Sequence, residues 1–244
     1  MIQQYLNITM SKELDNSSGS NKKGVNKSFI LVNSSGKKFI FKPQNGEHTS
    51  KWRYIPAFEQ YKRERAAFLV SSILGWGLVP NTKIFSFKDE LGSLQDWVEN
   101  TEKADKTLAV YSADTIWKSG LFDILIGNAD RHSKNWLTLN DKAVMIDNGY
   151  SFPFYCDIND PRSVILSRFS FKIWELKIPQ MYIDNIRYLK SLKIQGHLKD
   201  LLDFESFKLF IERLMEVLET RKAFVTKYQC VERVKGTPLK KQLV

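Results

Sequence analysis

Two neighbouring stretches decide the fold: Leu125–Trp136, which reads LIGNADRHSKNW, and Val144–Tyr150, which reads VMIDNGY. The first passes from apolar residues into a polar loop that carries Asp130 and Asn135. The second delivers Asp147 after three apolar residues and shortly before a glycine. We predict a short hairpin between the two stretches. This hairpin folds Asp147 back towards Asn135, so that two carboxylates and one carboxamide converge.

This set of side chains matches the chemistry of phosphoryl transfer from ATP. A hard Mg²⁺ ion takes oxygen ligands, which Asn135 and Asp147 can supply together with phosphate oxygens. A carboxylate beside the acceptor hydroxyl can take up its proton, and Asp130 has the position for that role. In protein kinases an Asp and an Asn in one loop are followed by an Asp-x-Gly unit. Each residue alone would be explained better as a turn cap, so the prediction rests on the ordered combination.

A lysine and a glutamate in the first hundred residues complete this pattern. Residues 27–32 and 37–42 predict a hairpin around an Asn-Ser-Ser-Gly turn, with Lys42 at the end of its second strand. Residues 57–74 have apolar positions at helical spacing and include Glu64. In kinases such a lysine neutralises ATP phosphates and such a glutamate holds it in place. Taken alone, Lys42 could equally be one exposed lysine among many.

A third element is the loop Ser17–Gly24, which precedes the first strand of the hairpin. Backbone N–H groups in a Gly/Ser turn can cradle phosphate oxygens, and Ser18, Gly19 and Ser20 are the candidates here. The loop matches neither GxxxxGK[ST] nor GxGxxG, so a flexible connector explains it nearly as well.

Composition limits the classes of protein that remain. The chain has 244 residues, of which 43% are hydrophobic and 26% charged, as expected for a soluble globular protein. Its two cysteines, Cys156 and Cys230, lack CxxC spacing, and no basic start followed by an apolar block is visible, which predicts a cytoplasmic protein. The net charge of +10 attracts polyanions, but no helix-turn-helix or aromatic-basic pattern favours nucleic acid. No apolar run reaches the roughly 20 residues of a transmembrane segment.

The pattern of elements predicts an α+β, two-lobed protein-kinase-like fold. Strands and one helix fill residues 1–100, which we assign to a small β-rich N-lobe. Helical patterns dominate residues 101–230, which we assign to a larger α-helical C-lobe. Residues 231–244 carry several lysines with a glycine and a proline, and we expect a flexible basic tail there.

The sequence also resembles a known family. GNADRHSKNW and MIDNGYSF resemble the catalytic and metal-binding segments of the phosphatidylinositol 3-/4-kinase-like superfamily, which includes bacterial phosphatidylinositol-kinase-like proteins and HipA-like serine/threonine kinases. FKPQNGE, RERAAFLVSSILGWGLVPNT and LQDWVE resemble the lysine strand, the glutamate helix and the inter-lobe hinge of the bacterial branch. The resemblance runs in order from about Gly19 to Pro179. At Asn148 the chain departs from related sequences, which often have His or Phe there.

The resemblance implies a role for each matching residue. Contacts with ATP, directly or through the lysine, fall to five residues of the N-lobe: Lys42, Glu64, Trp97, Val98 and Glu99. Asp130 is implied as the catalytic base, while His132 either orients the reacting groups or takes the base role itself. Asn135 and Asp147 are implied as Mg²⁺ ligands.

Three functions remain open at this point. The first is an ATP- and Mg²⁺-dependent kinase that phosphorylates a protein Ser/Thr hydroxyl, which the HipA-like resemblance favours. The second is a phosphoinositide lipid kinase, although the segment Phe152–Arg168 carries only two arginines for a head group. The third is a catalytically inactive ATP-binding or interaction module with a basic docking surface. The sequence leaves the acceptor and the oligomeric state undetermined.

Overall fold

The computed structural model describes residues 8–14, 26–47, 54–234 and 237–240. Within these ranges, one five-stranded sheet with a helix precedes a region built mainly of helices and two three-stranded sheets. The predicted α+β class, with a small β-rich lobe and a larger α-helical lobe, is therefore confirmed. No helix in the described ranges combines the length and the apolar character that a membrane span needs.

The N-lobe is an antiparallel sheet whose spatial order is β1-β2-β3-β5-β4. Its strands are β1 (Thr9–Leu14), β2 (Ser28–Val32), β3 (Lys38–Pro43), β4 (Thr82–Phe87) and β5 (Glu90–Asp96). The predicted hairpin is β2 and β3, closed by a turn in which the Asn33 side chain accepts the backbone N–H of Ser35 at 3.1 Å and of Lys37 at 2.8 Å. Gly36 follows with a φ of 80°, a conformation that glycine adopts without steric cost.

Alternation along β3 sends its side chains to two environments. Phe39 and Phe41 are buried on one face, where they pack with Leu31 and Leu94 into a small separate core. Lys42 lies on the other face, because successive side chains of a strand point to opposite sides of the sheet. The aromatic face thus fixes the strand, and the lysine is presented to the rest of the molecule.

Helix α1 (Gln60–Ile73) connects this sheet to the larger lobe. Its predicted start at residue 57 is three residues too early. The carboxylate of Glu47 accepts the backbone N–H of Gln60 at 2.8 Å and of Tyr61 at 2.7 Å, and thereby satisfies donors that an uncapped helix start leaves open. No local sequence pattern reveals this cap, because Glu47 lies thirteen residues before Gln60.

The C-lobe is centred on α2 (Ala113–Ile126), which Ser112 caps at its start and Gly127 ends in a left-handed conformation. The further helices are α3 (Arg168–Ile173), α4 (Gln180–Arg187), α5 (Leu192–Lys199) and α6 (Phe204–Thr220). Its short strands are β6 (Glu102–Lys103), β7 (Trp136–Leu139), β8 (Lys142–Met145), β9 (Val164–Leu166), β10 (Gln229–Val234) and β11 (Thr237–Lys240). They form two sheets, ordered β6-β7-β8 and β11-β10-β9.

Several boundaries differ from the sequence-based expectation. The sequence pattern over 184–193 predicts one helix, but α4 and α5 are separate helices there. The sequence pattern over 93–99 predicts a short strand, but β5 begins at Glu90 and ends at Asp96. The tail expected to be flexible from residue 231 contains the end of β10 and the whole of β11, with β10 paired in parallel to β9. This pairing joins segments more than sixty residues apart, which local sequence patterns do not reveal.

Substitution by alanine is expected to change the free energy of unfolding in opposite directions at Gly92 and Gly196. A Cβ at Gly92 in β5 would lie 2.3 Å from the carbonyl oxygen of Lys42, so Gly92→Ala must push apart the strands that carry the lysine. We expect Gly92→Ala to lower the free energy of unfolding by about 1–3 kcal/mol. Gly196→Ala in α5 meets open space and should raise it by about 0.5–1 kcal/mol. Urea unfolding of both variants tests this, and a neutral Gly92→Ala would contradict the close approach.

Candidate active site

Three elements that lie far apart in the sequence meet at the Lys42 ammonium. Its Nζ lies 2.5 Å from Glu64 Oε1 of α1 and 3.0 Å from Asp147 Oδ1, which follows β8. The Glu64 side chain is only 3% exposed, whereas the Asp147 side chain is 43% exposed. The ion pair with Glu64 is therefore internal, while Asp147 keeps an open side towards solvent.

The mutual charges control ionisation of this cluster. Burial works to lower the pKa of Lys42, but the charges of Asp147 and Glu64 outweigh it and raise the pKa above its usual value. Burial works to raise the pKa of Asp147, but the Lys42 ammonium outweighs it and lowers the pKa below its usual value. Both groups therefore carry their full charge at neutral pH.

The second oxygen of Glu64 fixes the backbone beside Asp147. Glu64 Oε2 accepts the backbone N–H of Asn148 at 3.0 Å. Asp147 itself has a φ of 56°, in the left-handed region that most residues avoid but Asp and Asn tolerate. Gly149 packs against α1, because a Cβ there would lie 2.9 Å from Gln60 Oε1. The Asp-x-Gly unit is thus shaped by its contacts with α1.

The loop before β7 brings the other predicted residues together. Asn135 donates its side-chain N–H to the carbonyl oxygen of Asp130 at 2.7 Å, which leaves the amide oxygen as the atom for an ion. Asp130 Oδ2 lies 3.7 Å from His132 Nε2. The Asn135 carbonyl oxygen accepts the backbone N–H of Ile146 at 3.1 Å, directly before Asp147. The hairpin β7–β8 therefore returns Asp147 to the Asn135 loop, as the sequence predicts.

A buried arginine, which the sequence analysis did not single out, organises this loop. Arg131 donates to Asp123 Oδ1 at 3.0 Å, to the carbonyl oxygens of Asn135 at 2.6 Å and Ile146 at 2.7 Å, and to Asn148 Oδ1 at 2.5 Å. The side chains of Arg131 and Asp123 are both fully buried. The signal was present in the sequence, because a carboxylate inside the apolar run of α2 requires a buried partner. Asn148, the departure from related sequences, serves as an acceptor for this arginine.

The donor set fits a hard divalent cation. Asp147 offers carboxylate oxygens and Asn135 an amide oxygen, which are the ligand types that Mg²⁺ prefers. Within the described ranges, no group of three or more His, Cys, Asp or Glu side chains could hold a metal ion. A cation at this site therefore needs further oxygens from a bound phosphate, as is usual for Mg²⁺ in phosphoryl-transfer enzymes.

The remaining predicted nucleotide contacts divide into two groups. Trp97, Val98 and Glu99 follow β5 directly, and Lys38 at the start of β3 pairs with Glu99 at 3.0 Å. Their contact with adenine stays a prediction. The proposed phosphate loop, with Ser18, Gly19 and Ser20, lies outside the described residues.

The segment after Asp147 contacts Tyr54, which lies shortly before α1. The Tyr54 hydroxyl donates to Asp160 Oδ2, and the backbone carbonyl oxygen of Tyr54 accepts the backbone N–H of Phe154 at 2.8 Å. Arg162 holds the same Asp160 carboxylate at 2.7 Å and stacks on the Tyr54 ring. Arg168 donates to the carbonyl oxygen of Lys106. Both arginines of the proposed lipid-binding loop are therefore engaged within the chain.

Comparison with solved structures identifies the same fold in known kinases. The structure of hydra Fam20 with sugar aligns with a TM-score of 0.52 and 15% identity over 84% of each chain. The Golgi casein kinase aligns with a TM-score of 0.55 and 14% identity over 82% of this chain and 71% of that one. Its structure with Mn/ADP bound gives 0.55 and 15% over 84% and 72%. No family model matches the sequence, and no curated protein does.

These alignments cover both lobes, and their identities are low enough that they speak for the fold alone. The chain has a protein-kinase-like fold. The narrower resemblance to the phosphatidylinositol 3-/4-kinase-like superfamily and its HipA-like branch stays a prediction.

The buried Arg131–Asp123 pair gives a measurable prediction about the loop. Asp123→Ala leaves Arg131 without its buried counter-charge, and we expect the free energy of unfolding to fall by about 3–5 kcal/mol. Asp184→Ala is the matched control, because the pair of Asp184 with Arg187 is exposed and should contribute at most about 0.5 kcal/mol. Urea unfolding measures both, and equal effects would show that Asp123 does not neutralise the arginine.

Proposed function

We propose that this protein is an ATP- and Mg²⁺-dependent kinase that transfers the γ-phosphoryl group to a Ser/Thr hydroxyl of a protein. One observation carries the proposal. The Lys42 ammonium lies within 3.0 Å of carboxylates from α1 and from the segment after β8, and a kinase needs all three parts. The protein-kinase-like fold supports the same reading.

Lys42 takes the role of the phosphate-binding cation. Glu64 holds its ammonium in place, while the exposed side of the cluster at Asp147 is open to a ligand. When ATP binds, the oxygens of its α- and β-phosphates replace part of the contact between Lys42 and Asp147. The phosphate oxygens and the Asp147 carboxylate are both negatively charged and compete for the same ammonium. A nucleotide and a divalent metal occur together in the Golgi casein kinase with Mn/ADP bound, which supports the same ligands here.

Asn135 and Asp147 take the role of metal ligands. A Mg²⁺ ion held there with ATP supplies positive charge against the phosphate oxygens. Arg131 contributes indirectly, because it binds the carbonyl oxygens on both sides of the hairpin and so keeps the two ligands in register. This rigid support of Asn135 and Asp147 suits a metal site, because metal ligands must keep their positions within a fraction of an ångström.

Asp130 takes the role of general base for the acceptor hydroxyl. Its backbone carbonyl is held by Asn135 and its backbone N–H by Asn128 Oδ1 at 2.8 Å, so the side chain projects from a fixed loop. His132, at 3.7 Å from the carboxylate, orients it. The hydroxyl proton moves to Asp130 as the acceptor oxygen attacks the γ-phosphorus, the bond from that phosphorus to the β–γ bridging oxygen breaks, and ADP leaves with the electron pair.

A protein acceptor is favoured over an inositol lipid. Recognition of a phosphoinositide head group requires several available cationic side chains. Arg162 is committed to Asp160 through two side-chain nitrogens, and Arg168 donates to a backbone carbonyl. The HipA-like resemblance points to a protein hydroxyl as well.

Substitution of the acidic residues tests the enzyme assignment. We expect Asp130→Asn and Asp147→Asn each to lower kcat for phosphoryl transfer by about 10²–10⁴-fold, because each removes a carboxylate that acts on the reacting groups. Asparagine keeps the shape and tolerates the positive φ of Asp147. The measurement is transfer of labelled γ-phosphate to the chain itself or to a dephosphorylated protein mixture.

The control is Asp141→Asn, an exposed carboxylate in the turn of the same hairpin, which should retain full activity. Chelation of divalent metal should abolish transfer, and added Mg²⁺ should restore it. If the Asn variants transfer phosphate as fast as the wild type, the chain is not a kinase of this design. Nucleotide binding without transfer by the wild type would instead identify an inactive ATP-binding module.

The acceptor class is tested by competition. We expect the protein mixture to be labelled and vesicles of phosphatidylinositol with phosphatidylcholine to stay unlabelled under the same conditions, because the basic residues of the loop are engaged. Arg162→Gln should leave any residual lipid labelling unchanged. Labelling of the vesicles in preference to protein would overturn the protein assignment and leave the kinase assignment intact.

A further inference from the structure

We propose that Arg63 is a positioning residue that anchors α1 to the larger lobe, so that Glu64 is set in place without a modification or a partner. The inference rests on the proposed kinase function, because it names the residue that holds the Lys42–Glu64 pair in position. It differs from that function in what it explains, namely why the pair is already formed in the isolated chain.

Arg63 is an ion-pairing residue with no access to solvent. Its side chain is fully buried, and its Nη2 lies 2.9 Å from Asp203 Oδ2 and 3.0 Å from Ser206 Oγ. Its Nη1 lies 3.1 Å from Glu59 Oε2, one turn earlier on the same chain. The residue next to Glu64 thus links α1 to the start of α6 across 140 positions of sequence.

The acceptor of this contact is itself built into a helix terminus. Asp203 is the N-cap of α6, where its Oδ1 accepts the backbone N–H of Ser206 at 2.9 Å. Burial works to raise the pKa of Asp203, but the hydrogen bonds from Ser206 and the charge of Arg63 outweigh it and lower the pKa. One carboxylate therefore starts α6 with one oxygen and holds α1 with the other.

Apolar packing places the second half of α1 in the same lobe. Ala66, Ala67 and Val70 are fully buried and belong to the same core as Leu121 and Phe122 of α2. The small core on the far side of the N-lobe sheet is a separate cluster. Helix α1 also packs against β4 and β5 of the N-lobe sheet, so it bridges the sheet and the core that contains α2.

Glu64 lies between these fixed points. Gln60 is packed on Gly149 one turn before it, Arg63 is paired beside it, and Ala67 is buried one turn after it. Contacts at these three points restrain α1 from moving away from Asp147 and Asn148. A displacement of about 1 Å at a reacting site can cost about 10²-fold in rate, so this support has a kinetic consequence.

A double-mutant cycle separates positioning from general stability. Arg63→Met should lower kcat/KM for ATP by about 10–100-fold in the wild-type background. In the Glu64→Gln background, Arg63→Met should lower kcat/KM for ATP by less than about threefold, because the ion pair that Arg63 positions is already lost. Its effect on the free energy of unfolding should be the same in both backgrounds. Equal activity losses in both would overturn the proposal and leave Arg63 a structural residue.

Two further variants guard against failure to fold. Asp203→Asn retains an effective N-cap for α6 and removes the charge that pairs with Arg63, so it should reproduce the loss of activity. Lys62→Met is the matched control, because Lys62 pairs with Glu59 on the solvent side of α1 and should change kcat/KM less than about twofold. Full activity of Asp203→Asn would overturn the anchor.

Hydrogen exchange of the nucleotide-free protein tests the anchor without any activity. The amides of Glu64–Val70 should be protected to the same degree as those of α2, and Arg63→Met should reduce protection in α1 while leaving α2 unchanged. Unchanged protection of α1 in Arg63→Met would overturn the anchor. If the wild type transfers no phosphate yet α1 responds in this way, the kinase assignment fails and the anchor stands.

Discussion

The ion pair between Lys42 and Glu64 is the contact on which the rest of the site depends. The nearly buried Glu64 carboxylate needs a cation beside it. Lys42 can supply that cation only if β3 and α1 keep a fixed separation. The need for neutralisation therefore sets the position of α1 against the sheet. The second oxygen of Glu64 accepts the backbone N–H of Asn148, so one side chain connects β3 with the segment after β8.

Features that depend on near neighbours in the sequence could be predicted well. The β2–β3 hairpin follows from its Asn-Ser-Ser-Gly turn, and the β7–β8 hairpin from the two short strand patterns on either side of Asn140 and Asp141. The capping role of Asp203 is equally local, because its partner lies three residues on. The same logic explains why Asp130, Asn135 and Asp147 could be assigned to one place, since a single short hairpin joins them.

Contacts between distant residues could not be predicted, because sequence spacing carries no information about them. Glu47 caps α1 from a position thirteen residues before Gln60, and no local pattern marks it as a cap. Asp123 was visible as a carboxylate in an apolar helix, yet its partner Arg131 emerges only when the loop folds back. The parallel pairing of β9 with β10 is the extreme case, because neither strand has a local signal for the other.

The packing of α1 also has a consequence for how the chain assembles. A division near residue 100 separates the lobes along the sequence, but the core of the larger lobe includes Ala66, Val70 and Leu74 from before that point. The cooperative folding unit is therefore discontinuous, and a fragment that begins after the hinge would expose a strip of aliphatic surface to water. Among the described residues, the separate core of the five-stranded sheet has four buried members, whereas the neighbours of Glu64 on α1 belong to the larger core.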